Sequence, residues 1–403
     1  MKQTLQTSIW SYRDIRLVLP ARALSYAGDA IAMIALTLRV SDGHGPAAVT
    51  ALLLAFAVPT VAMIPFAGRI VDGFDSRTVL VWSGLLQVIA GVGLALVHDL
   101  VPTLLLVCVL QIGQAVSGPA WGALIPRIVG EELIGRTTGV SQALVGVATL
   151  AGSAAGGLLV GWSGSRGALL VDSATFLVLV VVAALVRTRR RPEPGADVEK
   201  GGVSAGLRSI FGDGVLRILV PGLWVFVLVG EAVNVVEVFL ITGELGLGPS
   251  GYGAAGAATG AGAILGAWYS GRLRSDRTRT RGVVAGMAAI GTACVVIGLA
   301  GNFAVLLVGA TGIGLGSGML NAATSALVVT RSSDAVRGRV IAALNGTARS
   351  CSIFAMLLGG LAGTLLGPRG TFVTGGVACA VAAAAVGALV VRVKDSELEV
   401  ISH

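Results

Sequence analysis

The sequence predicts an all-α membrane protein of twelve transmembrane helices arranged as two pseudo-symmetric six-helix bundles. Three observations carry this. The 403 residues are 55% hydrophobic and only 12% charged, with a mean hydropathy of +0.87. Apolar runs of spanning length recur between clusters of charge. The two halves of the chain also repeat short motifs at a nearly constant spacing. A soluble domain with so little charge would expose apolar patches far beyond a few hundred Å². The 59 glycines suit helices that approach closely in lipid, and 5% aromatic content argues against a lipid-facing β-barrel with its aromatic girdles.

A spanning helix needs about 20 mostly apolar residues. Runs of that kind fall at 17–40, 47–71, 79–98, 102–125, 138–162 and 167–187 in one half. In the other they fall at 215–241, 251–271, 282–300, 303–330, 340–366 and 370–391. Backbone in lipid must satisfy its own hydrogen bonds, so these runs are read as helices despite their β-branched content. The connections at Asp99–Val101 and Ser163–Arg166 are short enough to enforce antiparallel hairpins. The segment MKQTLQTSIWSYRDIR is polar, and the first apolar run carries Arg22 and Asp29. This reads as a retained first span, not a cleavable leader.

The domain expectation is a bundle over 1–187, a cytoplasmic linker over 188–214 and a second bundle with a short tail over 215–403. The linker carries RTRRRPEPGADVEKGG, whose prolines, glycines and mixed charge suit a connector. Leu207, Ile210 and Phe211 beside Arg208 suggest a short interfacial helix. An even number of spans puts both termini on one side, where 24 of the 29 basic residues lie. The opposite loops hold Arg39, Arg166 and Arg369. Basic loops stay inside, so the expected setting is a bacterial inner (plasma) membrane with both termini cytoplasmic. The net charge of +8 is thereby a topology signal, and no nucleic-acid partner is expected.

Gly68-Arg69-Ile70, Gly135-Arg136 and Gly156-Gly157-Leu158 recur as Gly271-Arg272-Leu273, Gly338-Arg339 and Gly359-Gly360-Leu361, each 203 positions on. Gly28-Asp29 recurs as Gly230-Glu231 at 202. Four matches in order indicate duplication. Parallel repeats about the membrane normal are a transporter architecture, with the substrate held near the midplane.

The segment Gly68-Arg69-Ile70-Val71-Asp72-Gly73-Phe74-Asp75-Ser76-Arg77 resembles the loop signature of the major facilitator superfamily: a glycine, an acid four residues on, then basic residues. Its Asp-x-x-Asp-x-Arg form is similar to the macrolide-efflux and siderophore (enterobactin) exporter branch, as are Pro126 to Arg136 and Ser332 to Val340. The resemblance covers nearly the whole chain. It implies spans 1, 4, 7 and 10 around a central cavity, and an inner-side latch of Gly68, Asp72, Asp75 and Arg77 with Arg136, Arg337 and Arg339 as counterparts. Plain positive-inside flanking explains the same charges. Gly73 stands where the family has a basic residue. The fourth span reads Val107-Cys-Val-Leu-Gln111-Ile-Gly113 without the arginine of many drug/proton antiporters. Gly152-Ser-Ala-Ala-Gly156-Gly157 is similar to an exporter motif with Ser153 in place of proline, and equally fits close helix packing.

A charge near the bilayer centre costs about 2.5–3.5 kcal/mol on insertion scales and usually has a use. Asp29 lies about 18 Å along the first span, at 1.5 Å per residue. Glu231 holds the equivalent place, and Glu237 lies about 9 Å further out. Gln111, Gln114, Asn234 and Asn321 add polar groups to the cavity-lining spans. Burial disfavours the charged form of a carboxylate, so such a group can load and release a proton. Asp29 and Glu231 are therefore candidates to bind a proton or cationic substrate in turn. Pairing with Arg22 or Arg349 to fix helix packing is the alternative. Arg349 lies about 14 Å into its span, one turn from Asn345, and could hold an anionic group or partner an acid. Asp172 is read as capping or pairing locally.

The expected function is a secondary transporter, proton-coupled and exporting a lipophilic drug or secondary metabolite. An uptake permease and a non-transporting membrane binding or regulatory protein of the same fold are the alternatives. The expected partners are a small-molecule substrate, protons and the bilayer, with the chain a monomer. No enzyme, cofactor or metal is expected. The phosphate-cradling and HExxH motifs are missing, and Cys108, Cys294, Cys351 and Cys379 are scattered through apolar runs. His44, His98 and His403 lie outside spans or at their ends.

Overall fold

The computed structural model describes residues 8–189, 208, 210–331 and 334–401, without side chains at 131, 334–339, 341–342 and 391–401. Most of the expected linker, with Leu207, therefore lies outside the described residues, as do the side chains of Arg337 and Arg339 and all of His403. The described chain is helical throughout. Its helices are α1 (Arg13–Ser41), α2 (Pro46–Gly73), α3 (Ser76–Leu96), α4 (Leu100–Val129) and α5 (Ile134–Leu185). They continue as α6 (Leu216–Val238), α7 (Pro249–Ser270), α8 (Asp276–Gly298), α9 (Phe303–Arg331) and α10 (Asp334–Ile401). A π-helical turn, Phe239–Glu244, extends α6.

Two of these helices are broken by a glycine. Gly164 has φ 70° and ψ 177° inside α5, and Gly367 has φ 68° and ψ 174° inside α10. This conformation is closed to residues with a Cβ. The first break falls inside the Ser163–Arg166 connection read from the sequence. Among the described residues nine helices are long and apolar enough to cross a membrane, α5 and the Ala343–Val390 part of α10 each counted once. The 22-residue α7 is not among the nine, because glycine and alanine fill it.

Local signals explain the helix ends. Asp75 caps α3, accepting from the backbone N–H of Arg77 at 3.0 Å and of Thr78 at 3.4 Å. Ser275 and Thr278 form a reciprocal capping box on α8, which satisfies two backbone groups that a helix start leaves open. Pro249 opens α7, where its missing N–H costs nothing.

The chain forms two compact units, residues 1–43 with 51–197, and 44–50 with 198–403. In the first, a core of Ile15, Val18 and Leu19 (α1), Leu80 (α3), Trp121 and Leu124 (α4) and Ala183 (α5) closes one end of the helices. α1 and α5 meet so closely that a Cβ at Gly152 would sit 2.8 Å from the Cα of Ala27, and one at Gly156 3.1 Å from that of Ile31. The exporter-like glycines of α5 thus make a close helix contact. In the second unit, Gly359, the repeat partner of Gly156, meets the Cα of Ala232 on α6 in the same way, at 2.6 Å. A smaller core there joins Ile210, Leu216, Val220, Val328, Val340 and Ala343, so Ile210 is buried while Phe211 is exposed.

The tightest packing in the second unit is between α7 and α9. Gly262 and Gly266 of α7 lie against the backbone of Thr311 and Leu315, and Gly314 and Gly318 of α9 against that of Thr259 and Ala263. Elsewhere large apolar side chains face outward, among them Trp162, Leu365, Trp82 and Ile89, all more than two-thirds exposed. Such a surface needs lipid as its solvent.

Candidate functional site

The N-terminal unit threads polar side chains through apolar helices. Asp29, half-buried on α1, accepts a hydrogen bond from Nε2 of Gln114 on α4 at 2.9 Å. Gln114 Oε1 accepts in turn from Nε2 of Gln87 on α3 at 3.2 Å, and Gln87 also donates to Ser117 Oγ at 3.3 Å. Gln87 is buried, 1% exposed, and its bonds fix the amide that holds Asp29. Gln111 lies one turn from Gln114, half-buried.

In the C-terminal unit α6 carries Glu231, Asn234 and Glu237 along one wall of a cavity of about 330 Å³. Spacings of three and four residues put such side chains on one helix face. Ser352 of α10 donates to Glu231 Oε1 at 2.9 Å. Thr259, Ile290, Cys294 and Ser317 add to the wall with Phe226, and no lysine or arginine among the described residues lines it. A second cavity of about 320 Å³ shares Phe226 and Val227 and is lined by Trp224, Asn321, Thr324 and Asn345. Both cavities are mostly apolar with a few convergent polar groups, the usual makeup of a small-molecule site.

Among the described residues, no ion pair joins Asp29, Glu231 or Glu237 to an arginine. Arg22 lies over the ring of Tyr26, 6.0 Å from its centroid. Arg349 is exposed and belongs to neither cavity lining.

Of the expected latch residues, Gly68 is exposed and Asp72 half-buried at the end of α2. Asp75 serves as the α3 cap, Arg77 donates through Nη2 to the Val186 carbonyl, and Arg136 is exposed near the start of α5. A charge cluster not anticipated from the sequence lies in the second unit. Arg331 bridges Asp213 at 3.2 Å and Asp276 at 3.1 Å, and Arg279 reaches Asp276 at 3.5 Å. Gln87 and Ser352 were also missed. A lone glutamine in the run LLQVIAGVG is the same signal that marked Gln111. Serine gives no such signal, because in a helix its hydroxyl can turn to its own backbone.

Apolar helices of spanning length, internal repeats and an acid-lined cavity together define a multi-pass membrane transporter for a small molecule. The chain belongs to the Major Facilitator Superfamily, which its sequence matches over residues 18–240 and 225–402. It is similar to the "Uncharacterized MFS-type transporter YfiS" of Bacillus subtilis (strain 168), 25% identical over 381 residues and 88% of each chain. It is also similar to the lysophospholipid transporter LplT of Salmonella heidelberg (strain SL476), 31% identical over 159 residues, 39% of this chain and 38% of that one. Among solved structures, the nucleoside transporter NupG superposes with a TM-score of 0.75 at 12% identity, covering 94% of this chain and 99% of that one. A bacterial homolog of the human lysosomal transporter Spinster superposes with a TM-score of 0.73 at 16% identity, covering 96% and 98%. At these identities the likeness concerns the fold.

Proposed function

We propose that this protein is a twelve-span, proton-coupled exporter of a lipophilic drug or secondary metabolite, working by alternating access as a monomer in a bacterial plasma membrane with both termini cytoplasmic. Twelve is the count obtained if the breaks at Gly164 and Gly367 each divide a long helix in two and α7 is added to the nine long apolar helices. One observation carries the mechanism. Asp29, Glu231 and Glu237 sit within apolar helices with no arginine partner among the described residues, and Glu231 and Glu237 line a cavity. Ionisable groups retained at such depth ordinarily mark an ion or substrate path. In this reading Asp29, held by Gln114, and Glu231, held by Ser352, exchange protons. Glu237, Asn234 and Asn321 contact substrate, and Gln111 and Arg349 are further candidates to bind it. Asp72, Arg136 and Arg339 act at the inner latch. Export then draws on the membrane potential, about 2.3 kcal/mol per charge per 100 mV. Placement with the macrolide and siderophore exporters rests on the Asp72 to Arg77 segment.

The test is expression in an efflux-deficient bacterium, followed by a sensitivity panel and dye accumulation with and without a protonophore. Export predicts lower accumulation that the protonophore and the pair Asp29→Asn and Glu231→Gln each abolish. Accumulation and pH response unchanged by both substitutions would refute it. The likeness to LplT favours a second reading, movement of a single-chain amphiphilic lipid, for which lysophospholipid transfer in vesicles is the assay.

A further inference from the structure

Asp172, in the 165–185 part of α5, is only 1% exposed, and its Oδ1 has no hydrogen-bond donor. It points at the α1 backbone: a Cβ on Gly28 would lie 2.6 Å from that oxygen. Gly28 precedes Asp29 in α1, so the missing side chain there seats the Asp172 carboxyl against the helix turn that carries Asp29. Neighbouring hydroxyls are engaged elsewhere. Thr175 Oγ1 donates to the Asp172 backbone carbonyl at 2.7 Å, and Ser173 Oγ to that of Leu169 at 2.8 Å.

Charged groups on the surrounding helices do not neutralise it. α1 offers Asp29 and, nearly two turns inward, Arg22 on its Tyr26 ring, with Arg13, Asp14 and Arg16 at its first turn and, near its last, Arg39, which donates to the Leu94 and Val97 carbonyls. α3 offers only Arg77, bonded to Val186. α4 carries Cys108 and Arg127, and the 165–185 part of α5 itself only Arg166 besides Asp172. An ionised carboxylate enclosed without donor or cation is penalised by several kcal/mol. The duplicated half gives an internal control. The position 203 residues on is Gly375, packed on Val229, so the bundle folds without an acid there.

We propose that Asp29 and Asp172 form one paired-carboxyl proton site in the N-terminal unit, never both ionised, in which Asp172 keeps its proton while Asp29 exchanges one. The inference rests on the proton-coupled reading above. The pair carries one proton and a charge of −1 when Asp29 is free, and two protons and no charge when Asp29 is loaded. Gln114, anchored by Gln87, donates to the ionised form of Asp29. Asp172 supplies the neutral carboxyl at its back. Two interacting acids of this kind titrate as a unit.

Infrared spectroscopy of the purified protein in lipid vesicles, across a pH series and without substrate, reads protonated carboxyls directly. The wild type should show a protonated-carboxyl band through neutral pH that Asp172→Asn removes. Should that variant fail to fold, Asp29→Asn retains Asp172 and removes its anionic neighbour. The Asp172 band should then disappear at least about one pH unit lower than in the wild type. A band untouched by Asp172→Asn, or an unchanged titration in Asp29→Asn, overturns the pair. Transport separates this from the parent reading. Protonophore-insensitive accumulation would defeat proton coupling while leaving the infrared result intact. A wild-type pH profile in Asp172→Asn beside an altered one in Asp29→Asn would defeat the pair alone.

Discussion

The seam between α7 and α9 sets the width of the acidic cavity, and adding single methyl groups to it tests that claim. Thr259, Ile313 and Ser317 line the cavity and sit beside or among the seam residues. A Cβ at Gly314 would lie 2.7 Å from the Thr259 carbonyl carbon and 2.9 Å from the Ala263 nitrogen, and one at Gly262 2.8 Å from the Leu315 nitrogen. These are backbone atoms, so no rotamer change relieves the overlap and the helices must separate. Overpacking of this kind costs about 1–3 kcal/mol. Replacing glycine by alanine within a helix returns about 1 kcal/mol. Gly314→Ala or Gly262→Ala should therefore lose up to about 2 kcal/mol. Gly346→Ala, in α10 of the same unit and with nothing within 4 Å of its Cβ position, should gain about 1 kcal/mol. Propensity cancels between the sites, leaving a difference of about 1–3 kcal/mol. At roughly 2–4 °C per kcal/mol for a unit of this size, that is several degrees. Cys294 and Cys379 are buried in the second unit. In a background lacking Cys108 and Cys351, their reaction with a thiol dye on heating reports its opening. The seam variants should also transport more slowly, since the cavity wall moves. Equal midpoint shifts at seam and open sites would refute the reasoning.

Arg331→Met should lower the midpoint by a few degrees. It removes two partly exposed ion pairs worth roughly 0.2–1 kcal/mol each, and the loss should shrink when the melt is repeated at 1 M salt, where screening is about 3 Å. Asp14→Ala should be more damaging and less sensitive to salt. Asp14 is buried and accepts from the Thr188 backbone N–H at 2.9 Å, from Thr188 Oγ1 at 2.8 Å and from the Arg187 N–H at 3.4 Å. Leaving such donors unmet costs about 1–3 kcal/mol, and limited proteolysis just after α5 should be faster. Gln87→Leu should slow pH-driven transport although Gln87 does not touch Asp29, because it frees the Gln114 amide that does. Transport unchanged by that substitution would remove Gln87 from the chain.

The broad architecture was legible because lipid imposes a simple rule on sequence: long apolar runs between charges. Where that rule weakens, sequence and structure diverge. The run 251–271 is present as α7, but its hydropathy is diluted by the glycines that seat it on α9. The runs 138–162 and 167–187 appear as the one helix α5, interrupted at a single residue, because Gly164 turns the chain without a loop. The first span begins at Arg13, four residues before the apolar run, since helical backbone extends into charged flanks that hydropathy leaves out.

The site was legible by half, and the division has a physical cause. An acid in an apolar run stands out in one dimension, so Asp29, Glu231 and Glu237 could be picked from sequence alone. Their partners are chosen in three. Gln87 and Ser352 lie on other helices, and only packing shows that they steady Gln114 and Glu231. Asp172 marks the limit most clearly. In sequence it is one more acid near polar neighbours, suited to a local cap. In the fold those neighbours spend their hydroxyls on backbone carbonyls, and Gly28 opens a seat for it next to Asp29. Whether a buried acid is structural or exchanges a proton thus depends on which hydrogens remain to reach it. That is decided by the glycine on the facing helix, not by the residues beside it in the chain.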